Sequence, residues 1–104
     1  MELTVLAVPG CPNAPVLERR LAVALAGRPS VTVTRHVIAT VAEAAEWGMH
    51  GSPTLLVNGQ DPFADPGTAA AVACRLYRGE DGRMDGAPTE AALRRVLEEA
   101  DAAA

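Results

Sequence analysis

The chain is predicted to be an α/β domain, with a mixed four-stranded sheet, helices on both faces, and a long insert before the last strand. Three observations predict it. Leu3 to Val8 is apolar in both of its alternating sets, the pattern of a central strand covered above and below. Behind it, Leu17, Leu21 and Leu25 recur every fourth residue with Glu18, Arg19 and Arg20 between them, as one buried face of a helix requires. Val31 to Ile38 then returns to Val- and Thr-rich composition. A strand–helix–strand order makes the two strands parallel, with a right-handed crossover.

The remaining elements follow from local signals. Gly27 and Pro29 stop the first helix. Thr40 and Glu43 have capping-box spacing and open a short helix that ends near Gly48. Pro53 begins an apolar strand closed by the Asn58-Gly59 turn. Asp61 to Gly67, with two prolines, is loop. Ala69 to Ala73 is read as a helical turn, and Ala73 to Arg78 as a short strand in which Arg75 and Tyr77 alternate with Cys74 and Leu76. Gly79 to Gly86 is a polar surface excursion. A last helix spans about Thr89 to Ala100 with Leu93, Val96 and Leu97 on one face, and the final alanines are expected to fray. With no repeat and no linker, residues 1–104 form one domain.

Composition excludes several function classes. The 104 residues suffice for one core, and twenty-one alanines imply close helix–sheet packing. Trp47, Phe63 and Tyr77 are the only aromatic residues, too few for a base-stacking platform. A net charge of −4 without an arginine cluster likewise argues against a nucleic-acid partner. All nine basic residues are arginine. That pattern, like the alanine excess, is expected of a GC-rich genome, and it removes Schiff-base lysine chemistry. No apolar run approaches the ~20 residues of a membrane span, so no membrane partner is expected. Met1-Glu2-Leu3 lacks the basic start of a secretory signal, which makes the cytoplasm the expected location. Cys11 and Cys74 are too few for a disulfide framework. No cofactor is expected.

The stretch that carries chemistry is Val8-Pro9-Gly10-Cys11-Pro12-Asn13-Ala14. A strand enters a Pro-Gly turn, and Cys11 stands where a helix begins, with Pro12 suited to the first helical position. Free amides and the positive end of the helix dipole favour thiolate there, so Cys11 is the candidate nucleophile. The alternative is a buried structural cysteine.

The order of elements, together with Cys11-Pro12-Asn13-Ala14 and Ser52-Pro53-Thr54-Leu55-Leu56-Val57-Asn58-Gly59, resembles the thioredoxin superfamily. The first motif is similar to that family's C-x-x-C site with alanine in place of the second cysteine. The second is similar to its strand that begins at a cis-proline, and Gly86-Ala87 before the last helix also fits. The resemblance implies a thioredoxin-like fold with Pro53 cis and lying against Cys11. It also implies substrate contacts from Pro12, Asn13, Ser52 and Pro53, and a partner that is a small thiol or a thiol- or disulfide-bearing protein. It spans residues 2–59 and 86–100. The segment between, with Asp61-Pro62-Phe63-Ala64 and Cys74-Arg75-Leu76-Tyr77, resembles small bacterial proteins related to alkylmercury lyase. Those enzymes pair a helix-opening cysteine with a distant one on a strand, as Cys11 and Cys74 are spaced. Their acid three residues after the first cysteine is Ala14 here.

Three functions remain open at this point. One is monothiol thiol–disulfide exchange through Cys11. The second is soft-metal or organomercurial binding by Cys11 and Cys74. The third is a binding module that uses the groove between Cys11 and Pro53 without catalysis. Cys74 itself is read two ways, as a second catalytic thiol for Cys11 and as a small core residue beside Leu76. His50 is a candidate to approach Cys11, and Ser52 a candidate donor to its sulfur. His36 is read as structural, Trp47 as a core anchor, and Asp61 and Asp65 as loop-capping residues.

Overall fold

The computed structural model describes residues 1–28 and 30–103. In chain order the elements are β1 (Glu2–Ala7), α1 (Asn13–Ala24), β2 (Thr32–Val37), α2 (Val41–Trp47), β3 (His50–Ser52), β4 (Thr54–Val57), β5 (Ala71–Cys74), β6 (Tyr77–Arg78), β7 (Met84–Asp85) and α3 (Glu90–Ala103). β1 is the central strand of a three-stranded sheet ordered β2-β1-β4. β2 runs parallel to it with Thr32 opposite Glu2, and β4 runs antiparallel with Val57 opposite Leu3.

The two apolar faces of β1 explain its central place. Leu3 and Val5 on one face pack with Leu55 and Val57 under Leu17 and Leu21 of α1 and Leu93 and Leu97 of α3. Leu6 on the other face packs with Leu56, Ile38, Met49 and Ala44 of α2. Helices therefore cover both faces, and the leucines spaced by four in α1 are the contact stripe. α1 ends at Ala24, ahead of Gly27 at φ +84°; Pro29, the other expected stop, lies outside the described residues, as does Ala104. At α2 the Thr40 hydroxyl oxygen accepts from the Glu43 amide at 3.1 Å, as a threonine N-cap does. Gly48 closes that helix in the left-handed region at φ +82°. α3 is capped by Thr89, whose hydroxyl oxygen accepts from the Ala92 amide at 3.1 Å, and it continues to Ala103. Among the described residues no helix is long and apolar enough to cross a membrane.

The expected four-stranded sheet does not form. After Asn58-Gly59 the chain returns along β4 for one bridge only, Val57 with Gln60, because Pro62 and Pro66 follow and carry no N–H for a ladder. The chain loops away and comes back as β5, which pairs parallel with β3. A separate hairpin pairs β6 with β7. The expected helical turn at Ala69–Ala73 is instead mostly strand. Its backbone groups are claimed by β3, with the Ala71 amide on the Met49 carbonyl and the Arg75 amide on the Ser52 carbonyl at 3.1 and 3.0 Å. The expected strand over Ala73–Arg78 splits in two at Arg75-Leu76.

Gly51 makes the β3–β5 pairing possible. It has φ +108°, and a Cβ there would lie 2.8 Å from the Arg75 Cβ and 3.3 Å from the Ala73 carbonyl. Backbone and side chain root both resist displacement. Gly51→Ala is expected to lower stability by about 2–4 kcal/mol, measured as a fall in the urea midpoint at unchanged slope.

Candidate functional site

The candidate site lies at the C-terminal end of β1. Leaving the strand, the chain turns at Pro9-Gly10, with Gly10 at φ +70° and the Cys11 amide bonded to the Val8 carbonyl at 3.2 Å. Pro12 follows in helical conformation and α1 starts at Asn13. Pro12 and Pro15 have no N–H, and the Ala14 amide points at the Cys11 carbonyl at 3.4 Å. The Asn13 amide is therefore the donor at the mouth of the helix that no proline removes. Cys11 is 9% exposed and packs with Ala7 and Ala14. It also lines a groove of about 350 Å³ whose other walls include Pro9, Pro12, Pro15, Arg35 and Val37.

Ser52 and Pro53 reach this turn from β3. The Val8 amide donates to the Ser52 Oγ at 3.0 Å, so the segment before Pro53 is tied to the end of β1 three residues ahead of Cys11. The Ser52–Pro53 peptide is cis. The Ser52 carbonyl accepts from the Arg75 amide, and the Pro53 carbonyl from the Tyr77 hydroxyl, so both carbonyls are engaged within the chain. Asn13 is half-buried and its amide group lies where a Cβ on Gly86 would fall, 2.2 Å from that position. Arg20 pins the same segment to α1, donating to the Ala87 and Pro88 carbonyls at 3.1 and 3.2 Å and to the Asp85 carboxylate at 2.8 Å. The Arg20 hydrogen bond, then the Gly86 amide, hold the Asp85 carboxyl below the ordinary carboxylate range.

Cys74 lies opposite Ser52 in the β3–β5 pair, and both cysteines are free thiols. The reading of Cys74 as a core residue beside Leu76 is corrected. Both are exposed, Leu76 at 63%. The alternation through this segment is real, but its buried side is Arg75 and Tyr77, because a buried acid and a buried carbonyl await them. Trp47 is corrected too. It is 41% exposed and stacks on His36 with ring centroids 3.8 Å apart. His50 turns its Nδ1 to the Ala69 carbonyl at 3.3 Å and is not among the residues lining the Cys11 groove.

A buried polar cluster supports the Pro53 turn, and the sequence reading missed it. Asp61 and Arg75 form an ion pair at 2.6 Å with side chains 4% and 11% exposed. Arg75 also donates to the Thr54 Oγ1 at 3.1 Å, and Thr54 donates on to the Gly51 carbonyl at 2.6 Å. The Arg75 guanidinium stands 4.6 Å from the Tyr77 ring centre, and Phe63 meets the same ring edge-on at 5.6 Å. A cleft larger than the Cys11 groove, about 570 Å³, is bounded by Phe63, Arg75, Tyr77 and His50 and includes neither cysteine.

Burial pushes the Tyr77 hydroxyl well above the ordinary phenol value, against the lowering pull of Arg75; negative charge at Asp61 and Cys11 raises it further. A raised folded pKa gives stability that is present below the unfolded value of ~10 and is lost as pH rises through the folded one. The urea midpoint is expected to fall as pH climbs past 10. Because Tyr77 is the only tyrosine, tyrosinate absorbance at 295 nm should appear together with loss of the helical circular dichroism signal, not before it.

Among the described residues, no group of three or more His, Cys, Asp or Glu is gathered to hold a metal ion. No protein-family model, curated protein or solved structure matches this chain.

Proposed function

We propose that the protein is a thioredoxin-like thiol protein that carries out thiol–disulfide exchange through Cys11 alone. The observation that carries this reading is a free thiol at the opening of α1, bordering a groove, with the Ser52–Pro53 turn tied to the same end of β1. The Cys11 thiolate attacks one sulfur of a disulfide R–S–S–R′. The Cys11–S–S–R bond forms as the S–S bond breaks, and R′ leaves as thiolate. Ala14 offers no local second thiol, so an external thiol attacks the mixed disulfide next. It takes R and returns the electron pair to Cys11. Pro12 lines the groove beside Cys11, Asn13 opens α1 after it, and the apolar groove walls receive the substituent on the attacked disulfide.

The test is incubation of the reduced chain with an equimolar small aromatic disulfide, followed by mass spectrometry of the intact protein and its peptides. One mixed disulfide on Cys11, released by added thiol, is the expected result. Modification confined to the exposed Cys74 overturns the reading and leaves a fold used for binding.

A further inference from the structure

We infer that the free edge of β2 pairs with the β2 edge of a second copy of this chain, giving a two-fold symmetric dimer with one continuous sheet. The backbone defines the pairing. The Thr32 and Ile38 amides bond to the Met1 and Ala7 carbonyls on the β1 side. In a parallel ladder a residue turns both of its backbone groups to the same neighbour. The even-numbered residues of β2 therefore face β1, and Val33, Arg35 and Val37 turn their N–H and C=O groups outward. Such residues are what a narrow antiparallel pair needs. With Arg35 on the two-fold axis, Val33 falls opposite the partner's Val37, and Val37 opposite the partner's Val33. Each of these three pairs exchanges two backbone hydrogen bonds.

The side chains agree with that register. Val33 and Val37 are 44% and 51% exposed on one face of the strand, and they meet each other across the seam rather than water. Among the described residues, four of the seven large exposed hydrophobic side chains, Val33, Val37, Val41 and Trp47, lie on β2 or on the adjoining α2. This edge has no proline and no bulge, two of the features that keep solitary edges from pairing, and its one outward-turned charge is Arg35. Each Arg35 brings its own counter-charge, Glu18 at 3.0 Å, so the axis gathers two arginines and two glutamates with no net charge. Val37 and Arg35 also wall the Cys11 groove, so the paired edge borders the thiol, although the pairing does not depend on the thiol chemistry.

Sedimentation equilibrium of the Cys74→Ser chain under reductant, over roughly 10 µM to 1 mM, tests this. The expected result is a concentration-dependent doubling of mass, accompanied by a change in Trp47 fluorescence, the only tryptophan, stacked on His36 of β2. Val33→Lys with Val37→Lys should weaken the dimer at least tenfold while leaving the circular dichroism spectrum of the fold unchanged. A chain monomeric throughout overturns the inference and leaves the edge to solvent or to another protein's strand. A dimer that survives both lysines overturns it as well, since its interface then lies elsewhere.

Discussion

Cys11→Ser is expected to abolish release of thiol from a small disulfide, lowering the rate by about 10³-fold or more, because a serine hydroxyl at neutral pH is not a competent substitute for a thiolate at sulfur. Cys74→Ser should leave that rate within about threefold, since the proposed cycle is completed by an external thiol and not by a second cysteine in the chain. The substitution at position 11 should be nearly silent structurally. The side chain it replaces packs among small residues, Ala7 and Ala14, and serine is of similar size. Equal urea midpoints for Cys11→Ser and wild type, beside the lost activity, separate chemistry from folding. A Cys11→Ser chain that still exchanges disulfides would move the nucleophile to Cys74.

The second large effect is on stability and lies away from the sulfur. Asp61→Ala removes the carboxylate that faces Arg75 inside the protein, where both side chains are almost wholly out of water. A buried guanidinium left without its counter-charge costs about 3–5 kcal/mol. That is a large part of the ~5–15 kcal/mol that holds a domain of this size. The Asp61→Ala, Arg75→Met double substitution should recover most of the loss, because it removes the orphaned charge together with its partner. Urea unfolding of the two single variants and the double variant closes the cycle. If Asp61→Ala costs less than about 1 kcal/mol, the pair is acting as an exposed surface bridge would.

What could be read from the residues alone divides along the range of the interactions that decide each element. β1, α1, β2, α2 and α3 are set by local periodicity and caps: Leu17 and Leu21 lie on one stripe, Thr40 receives the Glu43 amide, and Thr89 begins the last helix. The parallel pairing of β2 with β1 also follows from chain order. The segment from Gln60 to Gly86 is decided otherwise, by partners far away in sequence. Arg75 is drawn inward by Asp61, Tyr77 by the Pro53 carbonyl, and β5 by β3. The local alternation does not say which of its two sides those distant partners bury, which is why the residues alone point Cys74 and Leu76 inward when Arg75 and Tyr77 are the more buried pair. Trp47 failed for a related reason, since its partner is a strand histidine on the outside of the sheet and not the core. At the candidate site, Cys11 and Pro12 were legible as strand–turn–helix chemistry. The groove wall from Arg35 and Val37 was not, because it is contributed by a different strand.

The central position of β1 sets the timetable of folding. It precedes the other elements of the domain, yet its antiparallel neighbour ends at Val57, and one of the two helices over its Leu3–Val5 face runs from Glu90 to Ala103. The packing around Leu3 and Val5 is therefore complete only once α3 is in place, and the domain closes as a unit rather than element by element.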